Sequence, residues 1–214
     1  MTSSNTAEPP PTPMRLLVFA GFLGSGKTSL ILPLATLLAA GGIRTCFIVN
    51  EVGDVGIDQQ VMRDGGLEVY EITAGCICCQ LTVDLVTTLG EIETRIHPDV
   101  VIIEASGVAT PTGIHSALDH YQGTPLAAIH TVTVVDPTRI EALLAVMTPL
   151  IEGQIIGADE ILITKMDEAT DDEVALALDA VARLHPQAPV HTVSVHDRAG
   201  LAPALSALAE AVRP

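Results

Sequence analysis

The segment "GFLGSGKTS" at 21–29 sets Gly21, Gly24 and Gly26 ahead of Lys27, Thr28 and Ser29, with Ser25 between the last two glycines. Glycine, four residues, glycine, lysine and threonine is the spacing of a P-loop. Its glycines let backbone N–H groups wrap a polyphosphate, its lysine reaches the β and γ phosphates, and its hydroxyl ligates Mg²⁺. Residues 21, 24, 25, 26, 27, 28 and 29 are therefore the candidate phosphate-binding set. Glu104 closes "DVVIIE" (99–104), where such proteins place an acid that holds Mg²⁺ or its water. Gly107 follows in "ASG" and could offer its N–H to the γ phosphate.

Base choice is read from "TKMD" at 164–167. Asp167 would accept hydrogen bonds from the ring N–H and exocyclic amine of guanine, which adenine does not offer, while the Lys165 stem packs on the purine face. Thr164 stands where many GTPases carry asparagine, so one polar contact is changed. "TVSVHDRAGL" (192–201) could back the base, with Ser194 or its neighbours as backbone donors; a plain strand-to-helix loop is the other reading. The chain has only two lysines, Lys27 and Lys165, against eight arginines, and both lie inside these patterns.

Positioning these groups needs strand ends. Short apolar runs at 15–20, 45–50 and 99–104, and later at 127–136, 160–165 and 189–195, alternate with helical stretches at 28–42, 81–96, near 138–150, 171–184 and 201–212; 67–72 alternates as a further strand. Pro33 is expected to bend or shorten its helix. Buried aliphatic strands alternating with helices predict an α/β fold: a mostly parallel sheet covered by helices on both faces, with ligands at the carboxyl ends of the strands. Residues 1–13 are polar and Pro-rich and read as a disordered tail; residues 14–214 read as one domain.

The chain is 48% hydrophobic with a formal charge of -16, two Tyr, three Phe and no Trp. An aliphatic core follows. Nucleic acid and anionic membrane surfaces are disfavoured as partners, because there is neither a basic patch nor a stacking platform. The start "MTSSNTAEPPPTPMR" lacks a secretory pattern, and no apolar stretch reaches spanning length, so a cytoplasmic location is expected. In that reducing compartment three cysteines within 76–79 point to metal or redox chemistry before a structural disulfide. Cys46, within an apolar strand, reads as a small core residue. His115 and His120, five positions apart, do not share a helix face and read as solvated.

Together "GFLGSGKTS", "NEVGDVGID" (50–58), "GCICC" (75–79), "EASG" (104–107) and "TKMD" resemble the CobW/HypB/UreG family of P-loop GTPases, in its CobW-like branch. The resemblance covers residues 14 to about 205. It implies GTP hydrolysis with Mg²⁺ and delivery of zinc, cobalt or nickel to a client protein or cofactor pathway. It also implies nucleotide-dependent dimerisation. CobW-like members usually continue into a second domain, so the GTPase domain alone is expected here.

Thiolates of Cys76, Cys78 and Cys79 can converge from one turn on a soft or borderline cation, and Zn²⁺ normally takes four ligands. Water, Glu51, Asp54 or a thiolate of a second subunit could supply the fourth. A redox pair of Cys76 with Cys78, or an inert turn, are the alternatives. The 50–58 segment is the expected switch, with Asp54 or Asp58 orienting the attacking water. Two other functions compete with a metallochaperone. One is a nucleotide-dependent activator of a cobalamin-dependent enzyme or nitrile hydratase; the other is a non-catalytic metal-sensing module.

Overall fold

The computed structural model describes residues 13–49, 68–71 and 79–214. Seven strands are placed: β1 Arg15–Ala20, β2 Thr45–Val49, β3 Glu68–Glu71, β4 Val100–Glu104, β5 Ala128–Val135, β6 Glu160–Ile163 and β7 Val190–Thr192. They form one sheet in the order β3-β2-β4-β1-β5-β6-β7, and every described pairing is parallel. Parallel neighbours demand crossovers, and helices supply them: α1 Lys27–Ala40, α2 Cys79–Arg95, α3 Pro111–Leu118, α4 Pro137–Ile156, α5 Asp171–Leu184 and α6 Arg198–Ala211.

Central strands are mostly apolar because both faces are covered, as in β4, where four aliphatic residues precede Glu104 and all five are buried. The two-residue period of a strand sorts them. Leu17 and Phe19 of β1 join Leu30, Leu34 and Leu38 of α1 and Leu201, Leu205 and Leu208 of α6 on one face. Leu16 and Val18 join Leu85, Leu89 and Ile92 of α2 and Ile114 and Leu118 of α3 on the other. A third cluster packs Ile161 and Ile163 under Ile151 and Ile155 of α4 and Ala177 and Val181 of α5. Each fully buried aliphatic side chain contributes about 1.5–3 kcal/mol of transfer free energy. Cys46 is buried in this core, as expected.

At the amino-terminal edge of the sheet one carboxylate contacts side chains of two neighbouring strands. Buried Glu160 receives His130 Nε2 at 3.1 Å on one carboxylate oxygen and His191 Nε2 at 2.8 Å on the other. This clamp joins β5, β6 and β7 on the side remote from the nucleotide motifs.

Four local expectations change. Helix α1 runs unbroken through Pro33 to Ala40. Helix α3 was not expected; Thr110 starts it, its hydroxyl accepting from the Gly113 N–H at 3.2 Å, with Pro111 at the first position, where a missing N–H costs nothing. Helix α4 extends past Pro149 to Ile156, the proline showing instead as a kink at Met147 with φ -129° and ψ 34°. His115 is partly buried and bonds the Thr131 hydroxyl at 3.0 Å, so it is a packed residue and not a solvated one. His120 is exposed, and its Nδ1 lies 3.0 Å from the Ser116 carbonyl.

Candidate nucleotide-binding site

The loop joining β1 to α1 begins at Gly21, whose φ of 131° and approach to β5 explain the residue type: a Cβ there would lie 2.3 Å from the Val134 carbonyl oxygen. Only glycine fits. The loop ends at Gly26, in the left-handed region, after which α1 starts directly with Lys27. The positive end of that helix thus faces the cavity. Lys27 is buried and its Nζ donates to the carbonyls of Gly21 at 3.0 Å and Phe22 at 3.3 Å, arching back over its own loop.

An open cleft of about 460 Å³ lies beside this loop, walled by Gly24, Gly26, Lys27, Thr28, Glu104, Thr164, Lys165, Asp167 and His196 among others. That volume suits a nucleotide-sized ligand. Strand register places Glu104 level with Phe19 of β1 and Val49 of β2, at the carboxyl end of the sheet. The Thr28 hydroxyl donates to both Glu104 carboxylate oxygens, at 2.8 and 3.1 Å. Glu104 is 2% exposed. A hydroxyl and a buried carboxylate converging at the phosphate end form a hard oxygen donor set that fits Mg²⁺.

At the other end of the cleft the Ser194 hydroxyl hydrogen-bonds the exposed Asp167 carboxylate and holds it below the usual carboxylate range, with its own backbone N–H and nearby His196 helping. Ser194 is itself buried. Lys165 has φ 54°, a left-handed conformation that costs a non-glycine residue about 1 kcal/mol. Its Nζ is paired with Asp136 Oδ2 at 2.8 Å. The head is anchored outside, which leaves the aliphatic stem along the cleft wall.

The other expected contributors are placed as follows. Thr164 is 2% exposed, and its hydroxyl donates to the Ser25 carbonyl at 2.8 Å and the Val135 carbonyl at 3.2 Å. It straps the end of β6 to the phosphate loop instead of offering that hydroxyl to a base. Ser25 is buried and borders a small pocket behind the loop with Ile140 and Ile155. Gly21 packs on β5 behind the cleft. Ser29 is exposed on the cleft wall. Gly107 is buried under the loop, where a Cβ would come within 2.6 Å of the Leu23 amide nitrogen. The Glu104–Gly107 turn and the phosphate loop are therefore in backbone contact.

Glu51, Asp54, Asp58, Cys76 and Cys78 lie outside the described residues, and Cys79 opens α2. Among the described residues no group of three or more His, Cys, Asp or Glu is arranged to hold a metal ion. Three residues not anticipated from the sequence support the site. Asp136 anchors Lys165; Arg139 donates from Nη1 to the Leu23 carbonyl at 2.8 Å; and buried Gln154 donates to the carbonyls of Gly107 at 3.1 Å and Ala109 at 2.8 Å. A lone Gln in the apolar "GQII" stretch was the one available signal.

A strand, glycine loop and helix at the carboxyl edge of a parallel sheet, with an acid from the neighbouring strand, define a P-loop nucleotide-binding protein. The chain belongs to the CobW/HypB/UreG family, whose nucleotide-binding domain matches residues 15–192. It is 38% identical over 133 residues to the zinc chaperone CobW of Sinorhizobium sp, covering 58% of this chain and 37% of that protein. With the zinc chaperone YjiA of Escherichia coli (strain K12) it shares 29% identity over 192 residues, 86% of this chain and 59% of that one. The crystal structure of Zn(II)-bound YjiA GTPase from E. coli superposes with a TM-score of 0.59 at 26% identity, covering 85% of this chain and 58% of that one. The hydrogenase maturation factor HypB from Archaeoglobus fulgidus gives a TM-score of 0.68 at 17% identity over 94% of this chain and 91% of that one, a likeness of fold. The chain thus spans 37% and 59% of the two curated relatives.

No described helix is long and apolar enough to cross a membrane.

Proposed function

We propose that this chain binds GTP with Mg²⁺, hydrolyses it, and uses the cycle to deliver a transition metal ion, zinc first among zinc, cobalt and nickel, to a client metalloprotein. The observation that carries the reading is the Thr28–Glu104 contact at one end of a nucleotide-sized cleft whose other end presents Asp167. The relatives named as zinc chaperones and as a GTPase support it.

The chemistry assigned to this chain's residues is positional. Lys27 leaves the loop carbonyls for the β and γ phosphates, and loop N–H groups and the α1 terminus bind the remaining charge. Thr28 and Glu104 hold the Mg²⁺, which supplies charge neutralisation at the phosphates. Asp54 or Asp58 orients a water whose oxygen bonds to the γ phosphorus as the bond to the β–γ bridging oxygen breaks, yielding GDP and inorganic phosphate. Asp167 accepts from guanine, Lys165 covers it, and Ser194 keeps Asp167 ionised. Gly107 follows the γ phosphate, and its backbone contact with Leu23 would carry that change into the phosphate loop.

The cargo is held by Cys76, Cys78 and Cys79; a fourth position taken by water or by an exchangeable carboxylate, Glu51 or Asp54, is the one through which metal can depart. Nucleotide-driven dimerisation would bring two such sites together, and a sedimentation profile indifferent to GTP analogues would argue against it. The direct test of the function is GTP turnover, and transfer of Zn²⁺ to an apo-client, by wild type and Cys78→Ser. Loss of transfer with turnover retained supports the proposal. Transfer retained in the cysteine variant would shift the reading to an activator whose cysteines are structural.

A further inference from the structure

The turn from β5 into α4, "VVDPTR" at 134–139, belongs to none of the nucleotide motifs, yet it touches both ends of the cleft. Asp136 caps α4, its Oδ1 accepting from the Thr138 N–H at 3.0 Å and the Thr138 hydroxyl at 2.7 Å, and its Oδ2 holds Lys165. One residue beyond Thr138, Arg139 reaches back to the phosphate loop. Its Nη1 donates to the Leu23 carbonyl at 2.8 Å, and its guanidinium carbon stands 5.4 Å from the centre of the Phe22 ring.

Leu23 is 57% exposed at the crest of the loop, so its own side chain does little to fix the peptide that follows it. That peptide is planar and trans, so the Leu23 C=O and the Gly24 N–H point in opposite directions. Gly24 lines the cleft; Arg139 does not, lying instead against the small pocket behind the loop. A donor that pulls the carbonyl outward turns the amide inward.

We propose that Arg139 is a positioning residue for phosphoryl transfer, holding the Leu23–Gly24 peptide so that the Gly24 N–H faces the phosphates before nucleotide arrives. The inference rests on the nucleotide-binding reading above and adds a residue outside its motifs. Such an amide stabilises charge as it develops on the leaving phosphate oxygens, so its aim governs the chemical step more than ground-state binding. Arginine suits the task because its fork can bond a carbonyl while its face stacks on Phe22. Fixing Lys165 and the Leu23 peptide from one turn also sets the distance between the base and phosphate subsites.

The test compares wild type, Arg139→Ala and Arg139→Lys in the full chain with Mg²⁺, by single-turnover GTP hydrolysis, GTP and GDP binding, thermal midpoint and the ³¹P spectrum of bound nucleotide. Arg139→Ala should slow hydrolysis about tenfold, less than the loss on deleting a donor outright, while GDP binding changes much less. It should also shift the β-phosphate resonance, with Arg139→Lys recovering part of the rate through the same carbonyl. Because Arg139 is exposed, the thermal midpoint should stay close to wild type. Unchanged hydrolysis and an unmoved ³¹P spectrum in Arg139→Ala would overturn the inference, as would a rate loss that tracks a fall in thermal midpoint. Failure of wild type to bind GTP overturns the functional reading as well, and is seen before any variant is compared.

Discussion

The proposed chemistry rests on two side-chain contacts at opposite ends of the cleft. Thr28 and Glu104 are 76 positions apart, and their 2.8 Å contact brings a helix start and a strand end to one point. Glu104→Gln keeps the shape and removes the charge, so GTP turnover should fall about a hundredfold or more while the thermal midpoint changes little; single-turnover assay and calorimetry check the pair. Asp167 and Ser194 make the other contact. The Ser194 hydroxyl lowers the folded-state pKa of Asp167, so what the bond contributes is fully present above the ordinary carboxylate range and is lost as pH falls through the lowered value. At neutral pH it is therefore intact. Ser194→Ala should move the Asp167 titration up toward its ordinary range, seen by NMR, and weaken GTP binding. Asp167→Ala should cut the preference for GTP over ATP about tenfold or more, measured as a ratio of affinities.

Elements decide whether those residues meet. The Glu104–Gly107 turn is held from above by Leu23 and from the side by Gln154, whose amide bridges the Gly107 and Ala109 carbonyls. Gln154→Leu leaves those acceptors unpaired and should cost about 1–3 kcal/mol of stability, read from chemical denaturation. Gly107→Ala forces a methyl group against backbone and should also slow turnover. The local motifs and nearly all the strands were legible in the sequence, because phosphate loops and buried strands write themselves in short spacings. What was not legible spans long separations: Arg139 to Leu23 is 116 positions, Thr164 to Ser25 is 139, and Gln154 to Gly107 is 47. Helix α3 was missed although Thr110–Pro111 marks its start, since its eight residues are too few for a clear helical period. The helix read near 138–150 continues to Ile156, its last turns packed through Ile151 and Ile155 beyond a kink at Met147.

At the scale of the molecule, a parallel sheet collects the ends of β1, β4 and β6 on one edge, where the nucleotide motifs meet. The proposed metallochaperone cycle requires the nucleotide and cargo sites to be coupled, and coupling is reciprocal: GTP would change metal affinity by the same factor by which metal changes GTP affinity. The decisive measurement is a chelator-competed Zn²⁺ titration of the reduced chain, alone and with a non-hydrolysable GTP analogue. The account predicts thiolate-bound metal whose affinity shifts with nucleotide by about fivefold or more, a shift that disappears with Cys76→Ser or Cys78→Ser. Identical Zn²⁺ affinity with and without the analogue, or binding indifferent to those cysteines, would contradict it.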